Sequence, residues 1–304
     1  MEIRTGAATV LHPKGDLKLY YEDMGDVDDP PVLLIMGLGA QLLLWRPAFC
    51  EKLVGQGLRV IRYDNRDVGL SSKTERRGNG GAMIPNMIKF WLGIPGQADY
   101  RLEDMADDAA ALLDHLGIDR AHIVGASMGG MIAQIFAARF AQRTRSLAVI
   151  FSSNNQPLLP PPHPQALFAV LRGPSPNSPI DVIADYSVKV WRIIGSPRYP
   201  APEQRLRDDA IQAYGRCYYP WGTARHFSAI MASGSLARYD RQITAPTVVL
   251  HGKADKLQPP FGGRMVARAI PGARLVLFDG MGHDLPEELW DQITGELTAT
   301  FAQG

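Results

Sequence analysis

Short apolar runs alternate along this chain with longer amphipathic segments, and this alternation limits the folds that the chain can adopt. The apolar runs occupy residues 32–36, 60–63, 121–125, 147–152, 247–251 and 274–278. Runs of this kind are typical of strands that are buried on both faces, as in a parallel sheet. Helical spacing of apolar residues marks 102–116, 128–140, 262–269 and 286–301. The alternation predicts a doubly wound, mostly parallel α/β sheet, opened by an antiparallel pair at 9–11 and 17–22.

One long region interrupts this rhythm. Residues 154–239 contain no convincing buried strand, open with a proline-rich stretch and continue through aromatic-rich helical pieces. A segment of 86 residues is too long to be one loop. We therefore expect a helical cap, residues 154–239, inserted into an α/β core domain that is formed by residues 1–153 and 240–304.

The cap and a second irregular stretch, residues 72–100, are rich in aromatic and methionine side chains. The candidates for substrate binding among them are Met87, Trp91, Trp191, Tyr219 and Trp221. One interpretation is that these side chains line a mainly apolar pocket. The other is that they only pack the cap onto the core, and both can hold at once.

The strongest chemical signal is the sequence Gly-Ala-Ser-Met-Gly-Gly at positions 125–130, which joins a predicted strand to a predicted helix. Small residues two positions either side of Ser127 let the strand and the helix approach closely. Such a turn projects Ser127 Oγ above the sheet and places the N–H of Met128 at a helix N-terminus, where negative charge is stabilised. We expect Ser127 to be a nucleophile.

A serine nucleophile needs a base, and the base needs an orienting acid. Of the seven histidines, His283 is the candidate base, because it follows the last predicted strand in a glycine-rich loop ahead of the last helix. Asp255 follows the preceding strand and is the candidate acid. The other six histidines are interpreted as structural or surface residues. His122 lies on a buried strand, His251 ends a strand in a His-Gly turn, and the remaining four lie in exposed or cap segments: His12, His115, His163 and His226.

These motifs resemble those of α/β-hydrolases over essentially the whole chain. Within that superfamily the chain is similar to the serine esterase group that includes aclacinomycin methylesterases. The order Ser127, Asp255, His283 is the order of the α/β-hydrolase triad. The resemblance is carried by Leu-Ile-Met-Gly-Leu-Gly at 34–39, Tyr-Asp-Asn-Arg-Asp-Val-Gly-Leu-Ser at 63–71, the serine turn, His-Gly-Lys-Ala-Asp at 251–255 and Gly-Met-Gly-His at 280–283.

The resemblance also implies an oxyanion hole made of two backbone N–H groups. One follows the nucleophile and the other lies in the loop after the third strand, so the matching donors here are Met128 and Leu38. Many relatives have His-Gly where this chain has Met36-Gly37. Because the donor is a backbone group, this difference concerns the side-chain support of the loop.

A dinucleotide-binding site is a competing interpretation, because Gly37 and Gly39 follow a strand and Asp64 ends the next one. The third glycine of that motif is replaced by Leu42, and the serine motif would remain unexplained. Residues 64–67 are therefore expected to form a hydrogen-bonded loop beside the site, with a substrate contact as the lesser interpretation.

Composition excludes several other classes. A net charge of +1 argues against nucleic-acid binding, which needs a basic surface. Two cysteines are too few for a disulfide framework, and they have no partners at metal-ligand spacing. Residues 1–7 lack the apolar core of a signal peptide, and the most apolar stretch, 31–45, is too short to span a membrane. We expect a cytoplasmic protein without a metal, a cofactor or a membrane partner, and its oligomeric state stays open.

The sequence as a whole predicts a carboxylic-ester hydrolase that works through an acyl-enzyme on a small to medium lipophilic ester. Carbon–carbon bond hydrolases and cofactor-free perhydrolases use the same triad, so both reactions remain alternatives. A non-catalytic ligand-binding protein on this fold is the alternative of a different class. Such a protein would be expected to lose catalytic residues, and here all three are present.

Overall fold

The centre of the molecule is a mostly parallel β-sheet. The structure is a computed structural model that describes residues 2–11, 16–74, 83–94, 96–175 and 177–304. Its strands are β1 (Ile3–Val10), β2 (Leu17–Met24), β3 (Pro31–Ile35), β4 (Arg59–Tyr63), β5 (Ala121–Ala126), β6 (Thr144–Ile150), β7 (Thr247–Gly252) and β8 (Arg274–Phe278). They lie in the order β1-β2-β4-β3-β5-β6-β7-β8. The pairs β1/β2 and β2/β4 are antiparallel and the others are parallel.

Helices cover both faces of this sheet. They are α1 (Pro47–Val54), α2 (Met83–Trp91), α3 (Leu102–His115), α4 (Met128–Arg139), α5 (Pro164–Leu171), α6 (Ile180–Ile194), α7 (Glu203–Arg216), α8 (Pro220–Ser233), α9 (Ala237–Asp240), α10 (Pro260–Ala269) and α11 (Trp290–Phe301). Successive strand side chains point to opposite faces. Leu33 and Ile35 therefore pack in the cluster formed with α3 and α4, while Val32 and Leu34 pack in the cluster formed with α1 and α11.

The predicted fold class is confirmed, since each predicted apolar run forms a strand and each predicted helical segment contains a helix. The bounds differ at a few ends. The run predicted at 147–152 ends as a strand at Ile150, because Phe151 has a φ of 34°, which is outside the extended region. The helix predicted at 286–301 is a 3-10 turn, Glu287–Leu289, followed by α11.

Helices α5 to α9 all lie between β6 and β7. In the described part of this segment, residues 154–175 and 177–239, there is no strand. The two ends of the segment are joined, because Asn154 Nδ2 donates to Asp240 Oδ2 at 2.9 Å and the Leu236 N–H donates to the Asn154 carbonyl at 2.9 Å. The division of the chain into a core domain and a cap stays a prediction.

The carboxyl ends of the parallel strands meet at one edge of the sheet, where Leu38, Ser127, Asp255 and His283 follow β3, β5, β7 and β8. Among the described residues, no helix combines the length and the apolar character that crossing a membrane requires.

Candidate active site

Ser127 lies in the turn between β5 and α4. Its backbone has a φ of 57° and a ψ of −123°, which is unusual for a residue with a side chain. The turn is held by the Ser127 N–H, which donates to the Ile150 carbonyl at 2.9 Å, and by Ser152 Oγ, which donates to the Ser127 carbonyl at 2.6 Å. A side chain at Gly125 would collide with the backbone of Gly129, so the small residues of the motif are required by close approach of strand and helix.

His283 connects Ser127 to Asp255. Its Nε2 lies 3.0 Å from Ser127 Oγ, and its Nδ1 lies 2.8 Å from Asp255 Oδ2. The backbone N–H of His283 donates to the Ile194 carbonyl at 2.8 Å, which ties the loop after β8 to the end of α6. The ring packs against Phe151, with ring centres 4.7 Å apart. The three side chains predicted from the sequence are therefore brought together in one hydrogen-bonded chain.

The carboxylate of Asp255 is buried and fully engaged. Oδ1 accepts the N–H groups of Leu257 and Gln258, both at 2.8 Å, while Oδ2 accepts from His283 and faces His251 Nε2 at 3.6 Å. Burial alone would raise the pKa of Asp255, but the electrostatic interaction with His283, its hydrogen bond and the nearby His251 ring outweigh it and lower the pKa. Asp255 is thus held as an acceptor-only carboxylate beside the imidazole.

The two residues predicted to supply oxyanion N–H groups, Leu38 and Met128, belong to segments that lie next to Ser127. Met128 is the first residue of α4, where an N–H has no acceptor within its own helix. The loop after β3 lies against the serine, because a side chain at Gly37 would meet Ser127 Cβ at 2.9 Å. Leu38 follows in this loop, which is closed by a hydrogen bond of 3.3 Å from the Ala40 N–H to the Gly37 carbonyl.

Comparison with known proteins identifies the fold family of this chain. A family model for the alpha/beta hydrolase fold matches residues 30–175. The chain is 31% identical over 262 residues to a protein from Pseudomonas savastanoi pv. phaseolicola named "Putative carbamate hydrolase", with 84% of this chain and 87% of that protein covered. The chain belongs to the α/β-hydrolase family. The resemblance to α/β-hydrolases and the prediction of an enzyme of the hydrolase class are confirmed.

Two further similarities extend over nearly the whole α/β-hydrolase. It is 27% identical over 302 residues to a rhodomycin D methylesterase from Streptomyces peucetius, with 93% of this chain and 95% of that protein covered. It also matches the crystal structure of an enol-lactonase from Burkholderia xenovorans with a TM-score of 0.71 and 25% identity, covering 94% of this chain and 97% of that one.

The loop after β4 of this α/β-hydrolase is hydrogen-bonded throughout, as predicted. Asp64 Oδ1 accepts the Leu42 N–H at 2.8 Å and Asp64 Oδ2 accepts the Leu70 N–H at 2.9 Å. Asn65 Nδ2 donates to the Met36 carbonyl at 2.9 Å. Both oxygens of Asp64 are thereby used within the protein, which argues against the ribose contact that a dinucleotide site would need.

The residues predicted to bind substrate lie in different surroundings. Met87 is half-buried on α2, and the side chain of Trp91 lies outside the described residues. Trp191 lines a cavity of about 70 Å³ together with Ser196, Leu206 and Asp284, beside the His283 loop. The Tyr219 hydroxyl accepts from Arg225 at 2.7 Å, and Trp221 is 62% exposed. These five assignments remain predictions.

Among the histidines that the structure describes, only His283 contacts Ser127. His122 is buried at the start of β5, where Nδ1 lies 2.8 Å from Ser146 Oγ, and burial lowers its pKa to about 4. His251 Nε2 contacts the Gln258 carbonyl at 2.7 Å. His115 and His163 lie at a helix end and a helix start, and His12 falls outside the described residues. Within the described ranges, no three or more His, Cys, Asp and Glu side chains are grouped to hold a metal ion.

The sequence indicates only that His226 is a structural or surface residue, and its contacts are more specific than that. It lies on α8 in the predicted cap, but its side chain is completely buried. Its Nδ1 accepts the Gly39 N–H at 3.1 Å and its Nε2 lies 2.7 Å from the Arg66 carbonyl. One indirect signal was present in the sequence, because Met36 has no polar side-chain group that could support the loop after β3. Both contacts of His226 are with backbone groups, which every residue type has, so the identities of Gly39 and Arg66 could not point to His226.

Proposed function

We propose that this α/β-hydrolase is a carboxylic-ester hydrolase that works through an acyl-enzyme on a small to medium lipophilic ester. The observation that carries the proposal is the chain of contacts from Ser127 Oγ through the His283 ring to the Asp255 carboxylate, 3.0 Å and 2.8 Å long. A hydroxyl, an imidazole and a carboxylate in this order form an activated nucleophile.

The carboxylate of Asp255 determines which nitrogen of the His283 ring carries the proton. Asp255 accepts at both oxygens, so the His283 Nδ1 carries the proton that is donated to Oδ2. His283 Nε2 then has a lone pair that faces Ser127 Oγ. In the first step Oγ attacks the ester carbonyl carbon and Nε2 takes the hydroxyl proton, and Asp255 stabilises the imidazolium that results.

The carbonyl oxygen becomes negatively charged as the Oγ–C bond forms. In our proposal it lies between the N–H groups of Leu38 and Met128, which stabilise the charge without rearranging. The intermediate collapses when the bond to the leaving alkoxide breaks and His283 gives its proton to that oxygen. In the second half, water attacks the acyl-enzyme with His283 as base, and Ser127 leaves with the proton restored.

We also propose that residues 154–239 act as a cap over this site. Support comes from contacts with the loops that carry the reacting groups: the α6 end binds the His283 N–H through Ile194, and Gln41 Nε2, in the loop after β3, donates to the carbonyls of Ala213 and Cys217 at 2.8 Å. In our proposal, the segment attached in this way covers the acyl group of the substrate. The similarity to a rhodomycin D methylesterase supports a methyl ester of a bulky acid as one substrate class.

The test is a substrate panel in which acyl chain and leaving group are varied separately. An apolar pocket gains about 0.8 kcal/mol for each methylene that leaves water, so kcat/KM for p-nitrophenyl esters should rise several-fold per carbon from acetate and then level off. A β-diketone and a peroxide are assayed beside them. Faster turnover of either than of every ester would contradict the proposed reaction, and a flat chain-length profile would contradict only the apolar pocket.

A further inference from the structure

We propose that His226 is a positioning residue that sets the conformation of the loop after β3, residues 36–42, and thereby the direction of the Leu38 N–H. The inference rests on the proposed function, because it assigns this N–H to the oxyanion. His226 comes from α8, 187 positions away from Gly39 in sequence. The segment predicted to be a cap thus supplies part of the support for the reacting centre.

The two hydrogen bonds of His226 determine its tautomer. A backbone N–H can only donate, so Nδ1 must accept from Gly39. A carbonyl can only accept, so Nε2 must carry the proton that is donated to Arg66. The ring is therefore neutral with its proton on Nε2, which leaves a lone pair on Nδ1 aimed at the loop.

The surroundings keep the ring in this state. The His226 side chain is completely buried, and burial lowers its pKa to about 4, against the smaller raising effects of the Arg66 carbonyl and the Asp67 charge. The lowered pKa favours the neutral ring that the two hydrogen bonds require, so Nδ1 remains an acceptor for Gly39. The groups that face it from neighbouring elements are Arg66, Asp67 and the Tyr100 ring, whose centre lies 6.3 Å away.

The hydrogen bond from the Gly39 N–H to His226 holds the peptide group that directly follows Leu38. The Gly39 N–H belongs to the same peptide plane as the Leu38 carbonyl, so holding this N–H fixes the plane next to Leu38. Gly39 has a φ of +63°, and Thr223 of α8 fills the space where a side chain would be. One turn of α8 therefore contacts the loop by packing at Thr223 and by hydrogen bonding at His226.

The His226 ring is also hydrogen-bonded at its second nitrogen, and this contact fixes the position of the ring. Nε2–H donates to the Arg66 carbonyl, and the Arg66 guanidinium binds both oxygens of Asp108 at 2.6 Å on α3. Asp108 and Arg66 are both buried. The loop after β3 is thus connected through one imidazole to a buried ion pair on the core, and Met36 contributes no side-chain hydrogen bond to it.

The test compares variants that each remove one buried hydrogen bond. His226→Gln keeps an N–H donor for the Arg66 carbonyl and lacks the acceptor for Gly39, whereas His226→Asn places an oxygen where Nδ1 lies and lacks the donor. His122→Gln is the matched control, because His122 is also buried and hydrogen-bonded but lies at the opposite end of β5 from Ser127. A merely structural role predicts similar losses of stability in all three variants and unchanged kcat in each.

We expect kcat for ester hydrolysis to fall at least about tenfold in His226→Gln with KM within about threefold, because an oxyanion donor acts in the transition state. His226→Asn should restore most of this loss, and His122→Gln should match the native kcat. Hydrogen exchange of the peptide that contains residues 36–42, which needs no ester, should accelerate only in His226→Gln. A folded His226→Gln protein with native kcat would overturn the proposal whether or not exchange changes.

A measurement on the native protein covers the case in which His226→Gln does not fold. In long-range 1H–15N spectra of the histidine-labelled protein, His226 should be the neutral tautomer protonated on Nε2 from pH 8 to about pH 5.5. A proton on Nδ1 would overturn the proposal, because that atom could not accept from Gly39. Absence of ester hydrolysis by the native protein would instead contradict the proposed function, and the exchange and tautomer data would still decide whether His226 holds the loop.

Discussion

His283 Nε2 lies 3.0 Å from Ser127 Oγ, although 156 positions separate the two residues along the chain. The contact follows from the sheet: Ser127 follows β5 and His283 follows β8, and both strands run parallel and end at the same edge. Asp255 follows β7, the strand next to β8, and so reaches the far side of the imidazole. The order of the strands thus arranges the three groups in line.

Replacing His283 and His122 one at a time should distinguish the proposed catalytic histidine from a structural one. His283→Ala should lower kcat by at least about three orders of magnitude, because the base and the orienting acid then no longer act on Ser127. His122→Ala should keep native kcat and lose about 1–3 kcal/mol of unfolding free energy, because it removes a buried group that stacks on Phe301. Kinetics and denaturant unfolding of both variants check this. Near-native hydrolysis by His283→Ala would show that another base operates.

The proposed oxyanion donors, the Leu38 and Met128 N–H groups, belong to the backbone, so their function should survive side-chain changes. Leu38→Ala keeps the N–H and should change kcat by less than about threefold. Leu38→Pro removes the donor and should lower kcat by about 10² or more. The comparison is made on protein whose circular dichroism spectrum and melting temperature are close to native. Equal, small effects of the two changes would place the donor elsewhere.

Asp240 should make the stability of the protein depend on pH. It is completely buried, Oδ2 accepts from Asn154 Nδ2, and among the described residues Oδ1 has no hydrogen-bond partner. Burial raises the pKa of Asp240 to about 7. The pKa of Asp240 is higher in the folded than in the unfolded protein. Its contribution to the free energy of unfolding is therefore fully present below about pH 4 and is lost as the pH rises to about 7.

Replacement of Asp240 by asparagine tests the predicted loss of stability with rising pH. One pKa unit corresponds to about 1.4 kcal/mol, so the unfolding free energy of Asp240→Asn relative to the native protein should increase by at least about 1 kcal/mol between pH 4.5 and pH 8. Urea unfolding at both values measures the difference. A constant difference would show that the carboxyl group ionises normally in the folded protein.

The sequence predicts the fold well because its strongest patterns are local. The apolar runs of β3 to β8 and the serine turn each occupy a few consecutive residues, and their physical requirements, burial on both faces and close approach at Gly125, act on those same residues. His283 and Asp255 could be chosen because each lies in the loop that follows a predicted strand.

His226 and the pocket could not be predicted in the same way. His226 bonds two backbone atoms, in Gly39 and Arg66, and a backbone group has no residue type that would reveal the contact. The direction of an aromatic side chain depends on the packing of helices. The sequence therefore could not distinguish Trp191, which lies beside the His283 loop, from Trp221, which is 62% exposed. Local patterns thus predict the reacting groups, while their supports depend on tertiary contacts.

The central claim is that Ser127 is the activated nucleophile, and covalent labelling tests it most directly. A serine-directed fluorophosphonate should add once to the native protein, and peptide mass spectrometry should locate the adduct on Ser127 with parallel loss of ester hydrolysis. Ser127→Ala should remain folded, take up no label and lose at least about three orders of magnitude in kcat. An adduct on another residue that accompanies the loss of activity, or native turnover by Ser127→Ala, would contradict the account.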